Sequence, residues 1–156
     1  MTETAKTHNV IPGQPHVWVW KRCSFDAAHY LSNYIGKCSK MHGHTYFVEL
    51  GVLCSIDPIT GMGLDLRELG DFLEVNVHNL FDHDLVNDKL PPIEMPKELK
   101  ENADDYREYK QPPTAEAIAR YILSVADRYF SKSQVKVRVY ETPDSWVEMS
   151  SDTGLL

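Results

Sequence analysis

Gln134–Tyr140 (QVKVRVY) alternates polar and apolar residues without a break. Successive side chains of an extended backbone point to opposite faces, so this pattern describes a strand with one dry face and one wet face. Such a strand needs partner strands and an apolar cover on its dry side. Val17-Trp18-Val19-Trp20 with Cys23-Ser24-Phe25-Asp26-Ala27 is rich in β-branched and aromatic residues and reads as a first strand. His44–Ile56 (HTYFVELGVLCSI) reads as a second, closed by the turn residues Asp57-Pro58-Ile59-Thr60-Gly61. Trp146–Met149 reads as a short last strand, reached through a turn at Pro143-Asp144.

Two helical stretches supply the cover. Asp65 is placed to cap the first, with Glu68 three residues later, and Leu66, Leu69, Leu73, Val77 and Leu80 recur at helical spacing. The second follows Pro112-Pro113 with Thr114 as cap, and its apolar stripe is Ala115, Ile118, Ala119, Ile122, Ala126 and Tyr129. The order strand, strand, helix, helix, strand, strand predicts an α+β fold: a four-stranded antiparallel sheet with two helices on one face. Its two open edges point to oligomerisation. The 156 residues suit a single domain, 1–156. Residues 1–15, with Pro12, Gly13 and Pro15, read as a loose arm, and 88–111 as a charged surface excursion.

A net charge of −7 argues against a nucleic-acid binder, which needs a concentrated basic face. No apolar run approaches the roughly 20 residues of a membrane span, and Met1–Asn9 lacks the apolar core of a secretory signal. Cys23, Cys38 and Cys54 are odd in number and widely spaced, which suits a reducing compartment. The expected address is cytoplasmic.

The chemistry concentrates in Cys38-Ser39-Lys40-Met41-His42-Gly43-His44. His42 and His44, two apart on an extended chain, present imidazoles side by side. His29, at the end of the first strand, would be brought near them by an antiparallel hairpin. Three ligands with an open fourth position form the usual catalytic zinc site. An isolated H-x-H pair among seven histidines is a weak pointer, and His78, near the end of the first helix, reads as a partner of the helix dipole. Cys38, flanked by Lys37 and Lys40, is a zinc ligand or a base in its thiolate form. Asp82-His83 is a possible carboxylate–imidazole pair. Glu141, just after the alternating strand, either grips a flat N–H-rich heterocycle or is solvated.

Phe25-Asp26-Ala27-Ala28-His29, Cys38-x-x-x-His42-Gly43-His44, Gly61-Met62 with Asp65, Asp82-His83, Pro113-Thr114-Ala115-Glu116 and Tyr140-Glu141-Thr142 follow one another across residues 17–150. Together they resemble the 6-pyruvoyltetrahydropterin synthase / 6-carboxytetrahydropterin synthase family. The resemblance implies the tunnelling fold, with sheets joined between subunits into a barrel as a homotrimer or homohexamer. It implies Zn2+ on His29, His42 and His44, and Cys38 as base with Asp82 and His83 reaching the site from a neighbouring subunit. It implies Glu141 on the pterin edge, assisted by Thr114. The three residues between Cys38 and His42 resemble the queuosine-pathway type, which forms 6-carboxytetrahydropterin, acetaldehyde and triphosphate from 7,8-dihydroneopterin triphosphate. The pyruvoyl product of the tetrahydrobiopterin branch, a catalytically silent pterin-binding relative and a structural zinc domain are the alternatives.

Overall fold

The computed structural model describes residues 10–93, 110–131 and 133–151. Strands β1 (His16–His29) and β2 (His42–Ser55) pair antiparallel along their full lengths, from His16 opposite Ser55 to His29 opposite His42. The two-residue β3 (Asp84–Leu85) joins the end of β1 in parallel, with Ala27 opposite Asp84. Strand β4 (Val135–Thr142) pairs with the far side of β2, and β5 (Ser145–Ser150) pairs with β4. The sheet order is β3-β1-β2-β4-β5. Among the described residues it has five strands where four were expected, because β3 is too short to carry an alternation.

Helix α1 (Leu66–Leu73) begins at Asp65, whose carboxylate accepts from the Arg67 backbone N–H. It runs on through a π turn (Glu74–His78) into the single turn α2 (Asn79–Phe81). A second short turn, α3 (Val86–Lys89), follows β3. Helix α4 (Ala115–Tyr129) starts at Thr114, whose hydroxyl accepts from the Ala117 N–H. Both caps answer the unsatisfied first-turn amides in the way the sequence anticipates. Leu66 and Tyr129, expected in the apolar stripes, are exposed. They are the first and last residues of α1 and α4, and the adjoining Phe130 is buried instead.

The core lies between the helices and one sheet face. Phe25, Tyr46, Val48, Leu50, Val52, Val135, Val137 and Val139 come from the sheet, and Leu69, Phe72, Val77, Phe81, Ile118 and Ile122 from the helices. The opposite face carries cations stacked on rings: Arg22 over Phe47 and Tyr140, Arg138 over Trp20, and Lys136 over Trp18. Glu49 on that face accepts from Arg138 and from the Tyr140 hydroxyl.

Residues 94–109, the middle of the expected excursion, lie outside the described residues, as do 1–9 of the expected arm. The two ends of the excursion are pinned together, since Gln111 is buried and its side-chain N–H donates to the Pro91 carbonyl at 3.0 Å. Phe81 is fully buried, stacked on Phe25 at 5.2 Å and edge-on to Tyr121 at 5.8 Å. Phe81→Ala is expected to cost about 3–5 kcal/mol in urea unfolding, because it opens a cavity between sheet and helix.

Candidate active site and metal centre

The β1–β2 register builds the centre. His29 lies opposite His42 and Ala27 opposite His44, so the three imidazoles share the covered face at one end of the sheet. His29 is buried, and its Nδ1 donates to the Pro113 carbonyl at 2.7 Å. His42 Nδ1 donates to the Lys40 carbonyl, also at 2.7 Å. A carbonyl only accepts, so both Nδ1 atoms carry the proton and both Nε2 atoms of the neutral rings present lone pairs.

Those lone pairs converge. His29 Nε2 and His42 Nε2 are 3.1 Å apart, and Glu141 Oε1 is 3.2 Å from His29 Nε2 and 3.5 Å from His44 Nε2. His44 Nε2 is buried with no hydrogen bond among the described residues. One ligand atom from each of His29, His42, His44 and Glu141 falls within 4.8 Å of all the others. Facing lone pairs and a carboxylate repel one another unless a cation lies among them. Three imidazole nitrogens with outward N–H groups held by carbonyls, plus one oxygen, form a donor set that fits a metal such as zinc. Burial, and then the neighbouring His29 and His42, hold His44 below its ordinary pKa of 6.5 against the opposing pull of Glu141. Its lone pair is thereby kept available.

Tyr46 forms the floor, edge-on to His29 and His44 at 6.0 and 5.6 Å between ring centres. Its buried hydroxyl has no hydrogen-bond partner among the described residues, and burial, followed by the charges of Glu141 and Cys38, pushes its pKa up. Cys38 is half-buried on a single 3₁₀ turn, Lys37–Ser39, whose Cys38 carbonyl accepts from Leu31 N–H at 2.9 Å. Cys23, Cys38 and Cys54 are all free thiols.

Asp82 and His83 stand elsewhere. They dock on the outer edge of β1: the Asp26 N–H donates to Asp82 Oδ1 at 2.9 Å, and the His83 N–H donates to the Asp26 carbonyl at 2.7 Å. Asp82 Oδ2 lies 2.6 Å from His83 Nδ1, and Thr45 Oγ1 donates to Asp26 Oδ1 at 2.6 Å. Asp26 alternates with Ala27 along β1 and so projects to the face away from the imidazoles. An open cavity of about 550 Å³ lies here, lined by Asp26, Thr45, His83 and Asp84 and reaching His44.

A sequence model described as 6-pyruvoyl tetrahydropterin synthase matches residues 18–152. The chain belongs to that family. It is 30% identical over 141 residues to the 6-carboxy-5,6,7,8-tetrahydropterin synthase of Rickettsia conorii, covering 83% of this chain and 96% of that protein. It is 30% identical over 146 residues to the 6-pyruvoyl tetrahydrobiopterin synthase of Drosophila melanogaster, covering 83% and 77%. Among solved structures, the 6-pyruvoyl tetrahydropterin synthase of Caenorhabditis elegans superposes with a TM-score of 0.64 at 23% identity, over 87% of this chain and 96% of that one. The α+β sheet described above is therefore the tunnelling fold of this family.

Within this family member the sequence expectations fall into two groups. His29, His42 and His44 come together as expected. Glu141, expected as a separate ring anchor, stands against the same imidazoles, because β4 ends beside β2. The Thr114 hydroxyl is engaged as the α4 cap, while Pro113 before it holds His29. Asp82 and His83 pair with each other as expected but do not join the imidazoles or Glu141. His78, expected as a partner of the helix dipole, is the basic residue of the last π turn, and it makes two further contacts: its Nδ1 donates to the Ser24 carbonyl at 2.9 Å and its Nε2 faces Asp82. Asp26, Thr45 and Tyr46 were missed. The period of two running from His42 through His44 puts Tyr46 on the imidazole face and could have found it.

The Asp26 N–H and then His83 hold Asp82 below the usual carboxylate range, and the Asp82 hydrogen bond raises His83 above 6.5. What the pair contributes through His83 is thus full below that ordinary value and is lost as pH rises through the raised one. What it contributes through Asp82 is lost only as pH falls through the depressed carboxylate value. An imidazole NMR titration is expected to put the His83 midpoint above 6.5, and Asp82→Asn is expected to bring it down. An unmoved midpoint in Asp82→Asn contradicts the pairing.

Proposed function

We propose that the chain is a zinc-dependent 6-carboxy-5,6,7,8-tetrahydropterin synthase. It would convert 7,8-dihydroneopterin triphosphate to 6-carboxytetrahydropterin, acetaldehyde and triphosphate, a step in queuosine-type deazapurine biosynthesis in the cytoplasm. The observation that carries this reading is the convergence of the His29, His42 and His44 lone pairs with Glu141 in a pterin-synthase sheet. The carboxy product is favoured by the short Cys38–His42 spacing and by the bacterial relatives from Rickettsia and Haemophilus influenzae that bear that name.

His29, His42 and His44 would hold the zinc, which supplies a Lewis acid able to lower the pKa of substrate hydroxyls. Glu141 turns Oε1 to the imidazoles and is partly exposed, so its other oxygen would accept N–H donors from the guanidine-like edge of the ring. Cys38 removes a proton from the substrate side chain. Asp82 fixes the Nδ1–H tautomer of His83, leaving Nε2 to exchange protons. Incubating the zinc-loaded protein with 7,8-dihydroneopterin triphosphate should release acetaldehyde and 6-carboxytetrahydropterin by mass spectrometry. A 6-pyruvoyl product moves the chain to the other branch. Cys38→Ala is expected to lower kcat by at least about a hundredfold while zinc content stays at the wild-type level. Joint loss of zinc and fold in that variant would instead favour a structural metal site.

In one chain the Asp82–His83 pair sits on the β1 edge, outside the His29, His42, His44 and Glu141 group, while the charge of Cys38 acts on Tyr46 beneath that group. We infer that a homotrimer or homohexamer completes the catalytic set, each site taking the Asp82–His83 pair of a neighbour. Among the described residues, the part of the β1 edge that β3 does not cover and the edge strand β5, with Trp146 exposed, are the surfaces available for joining sheets. Mixed oligomers of two inactive variants, Cys38→Ala and His83→Ala, should regain activity, since some interfaces would hold one intact Cys38 and one intact His83. No recovery on mixing and re-assembly would mean that each site is built within one chain.

A further inference from the structure

Asp82 lies between two imidazoles, and the reading above uses only one of them. Oδ2 is 2.6 Å from His83 Nδ1 on one side and 3.8 Å from His78 Nε2 on the other. His78 is itself held in place: its Nδ1 donates to the Ser24 carbonyl of β1, and its own carbonyl accepts the Asp82 N–H at 2.9 Å. It closes the π turn Glu74–His78, a distortion that resets which side of a helix the following residues face and that recurs at functional sites.

We propose that His78 is a positioning residue for the Asp82–His83 pair: neutral, it leaves Asp82 Oδ2 to His83; protonated, it competes for that oxygen and loosens the proton on His83. The Nδ1–H is committed to the Ser24 carbonyl, so in the neutral ring Nε2 is a lone pair facing a carboxylate oxygen. The 3.8 Å gap is longer than a hydrogen bond and fits that form. Adding a proton to Nε2 turns the contact into an ion pair and gives Oδ2 two cationic neighbours. The charge that steadied the His83 imidazolium is then shared, and a like charge stands nearby.

The other titratable groups around His78 do not supply this effect. Asp26 on β1, two residues from Ser24, acts on His83, with its Oδ1 bonded to Thr45. Cys23, directly before Ser24, has its pKa pushed up to about 12 by burial and then by Glu74, so it stays neutral across the relevant range. Glu74 begins the same π turn.

The inference rests on Asp82–His83 being the proton-transfer pair, and its test has a readout independent of turnover. The full-length zinc-loaded protein is titrated by imidazole NMR, with the His83 signals assigned through His83→Gln, in wild type and in His78→Asn. Asn retains an amide N–H for the Ser24 carbonyl and removes the nitrogen that faces Asp82. The expected result is a His83 curve that moves upward in the variant by at most about half a pH unit, the size of one like charge at about 6 Å in water, and that is narrower than the wild-type curve. The kcat/KM profile should lose one ionisation on its acid side with KM at the optimum unchanged. If His78→Asn fails to fold, His78→Phe keeps the ring volume and should give the same upward shift. A His83 curve that superimposes on wild type in either folded variant overturns the inference. A shifted curve in a protein that turns over no pterin triphosphate sustains the role of His78 and sinks the synthase reading, so the two failures are distinguishable.

Discussion

The antiparallel register of β1 on β2 is the constraint on which the site depends. Side chains alternate with a period of two, so a slip of one residue would send His42 and His44 to the wet face while His29 stayed in the core. Two devices hold the register. Phe25 and Tyr46 are a directly opposed pair, fully buried and stacked 5.0 Å apart at 17°. On the other face Trp20 lies flat on Gly51, so close that a Cβ at Gly51 would meet the indole at 2.7 Å. Only glycine leaves room for that ring. Burial of the aromatic pair and the missing side chain at Gly51 thus select the same alignment from opposite faces.

The same sheet serves two kinds of chemistry by exposing its two sides differently. On the helix-covered face, low solvent access strips the imidazoles of water and leaves lone pairs that a cation would satisfy. On the β1 edge, contacts made while open to solvent hold the charged forms, chiefly the backbone N–H of Asp26 for Asp82 and the Asp82 hydrogen bond for His83. Asp26 joins the two regions. Its backbone receives the Asp82–His83 segment, its carboxylate takes the Thr45 hydroxyl, and Thr45 follows the ligand His44 directly. The segment also needs His83 at a positive φ of 57°, a conformation that a non-glycine residue keeps only when its surroundings hold it there.

Much of this could be read from the chain. The alternation of Val135, Val137 and Val139, the caps at Asp65 and Thr114, and the spacing of His42 and His44 are local patterns, and local patterns survive without knowledge of what packs against them. Leu66 and Tyr129 were misjudged because periodicity cannot say where a helix outruns the sheet beneath it. Strand β3 escaped notice because two residues show no period, and it exists only because the β1 edge is there to receive it.

The sequence by itself determined the types of element, the helix starts, and the three imidazoles with their two-residue and hairpin relations, because these follow from backbone periodicity and from which side chains can cap or ligate. Only the tertiary structure decided that Glu141 stands among the imidazoles, that Pro113 and Lys40 choose their tautomers, and that Asp82 lies between His83 and His78 on the far edge of β1. Those relations join residues up to 112 positions apart, as between His29 and Glu141. They depend on strand order and on the direction of individual carbonyls, which no local pattern in the chain encodes.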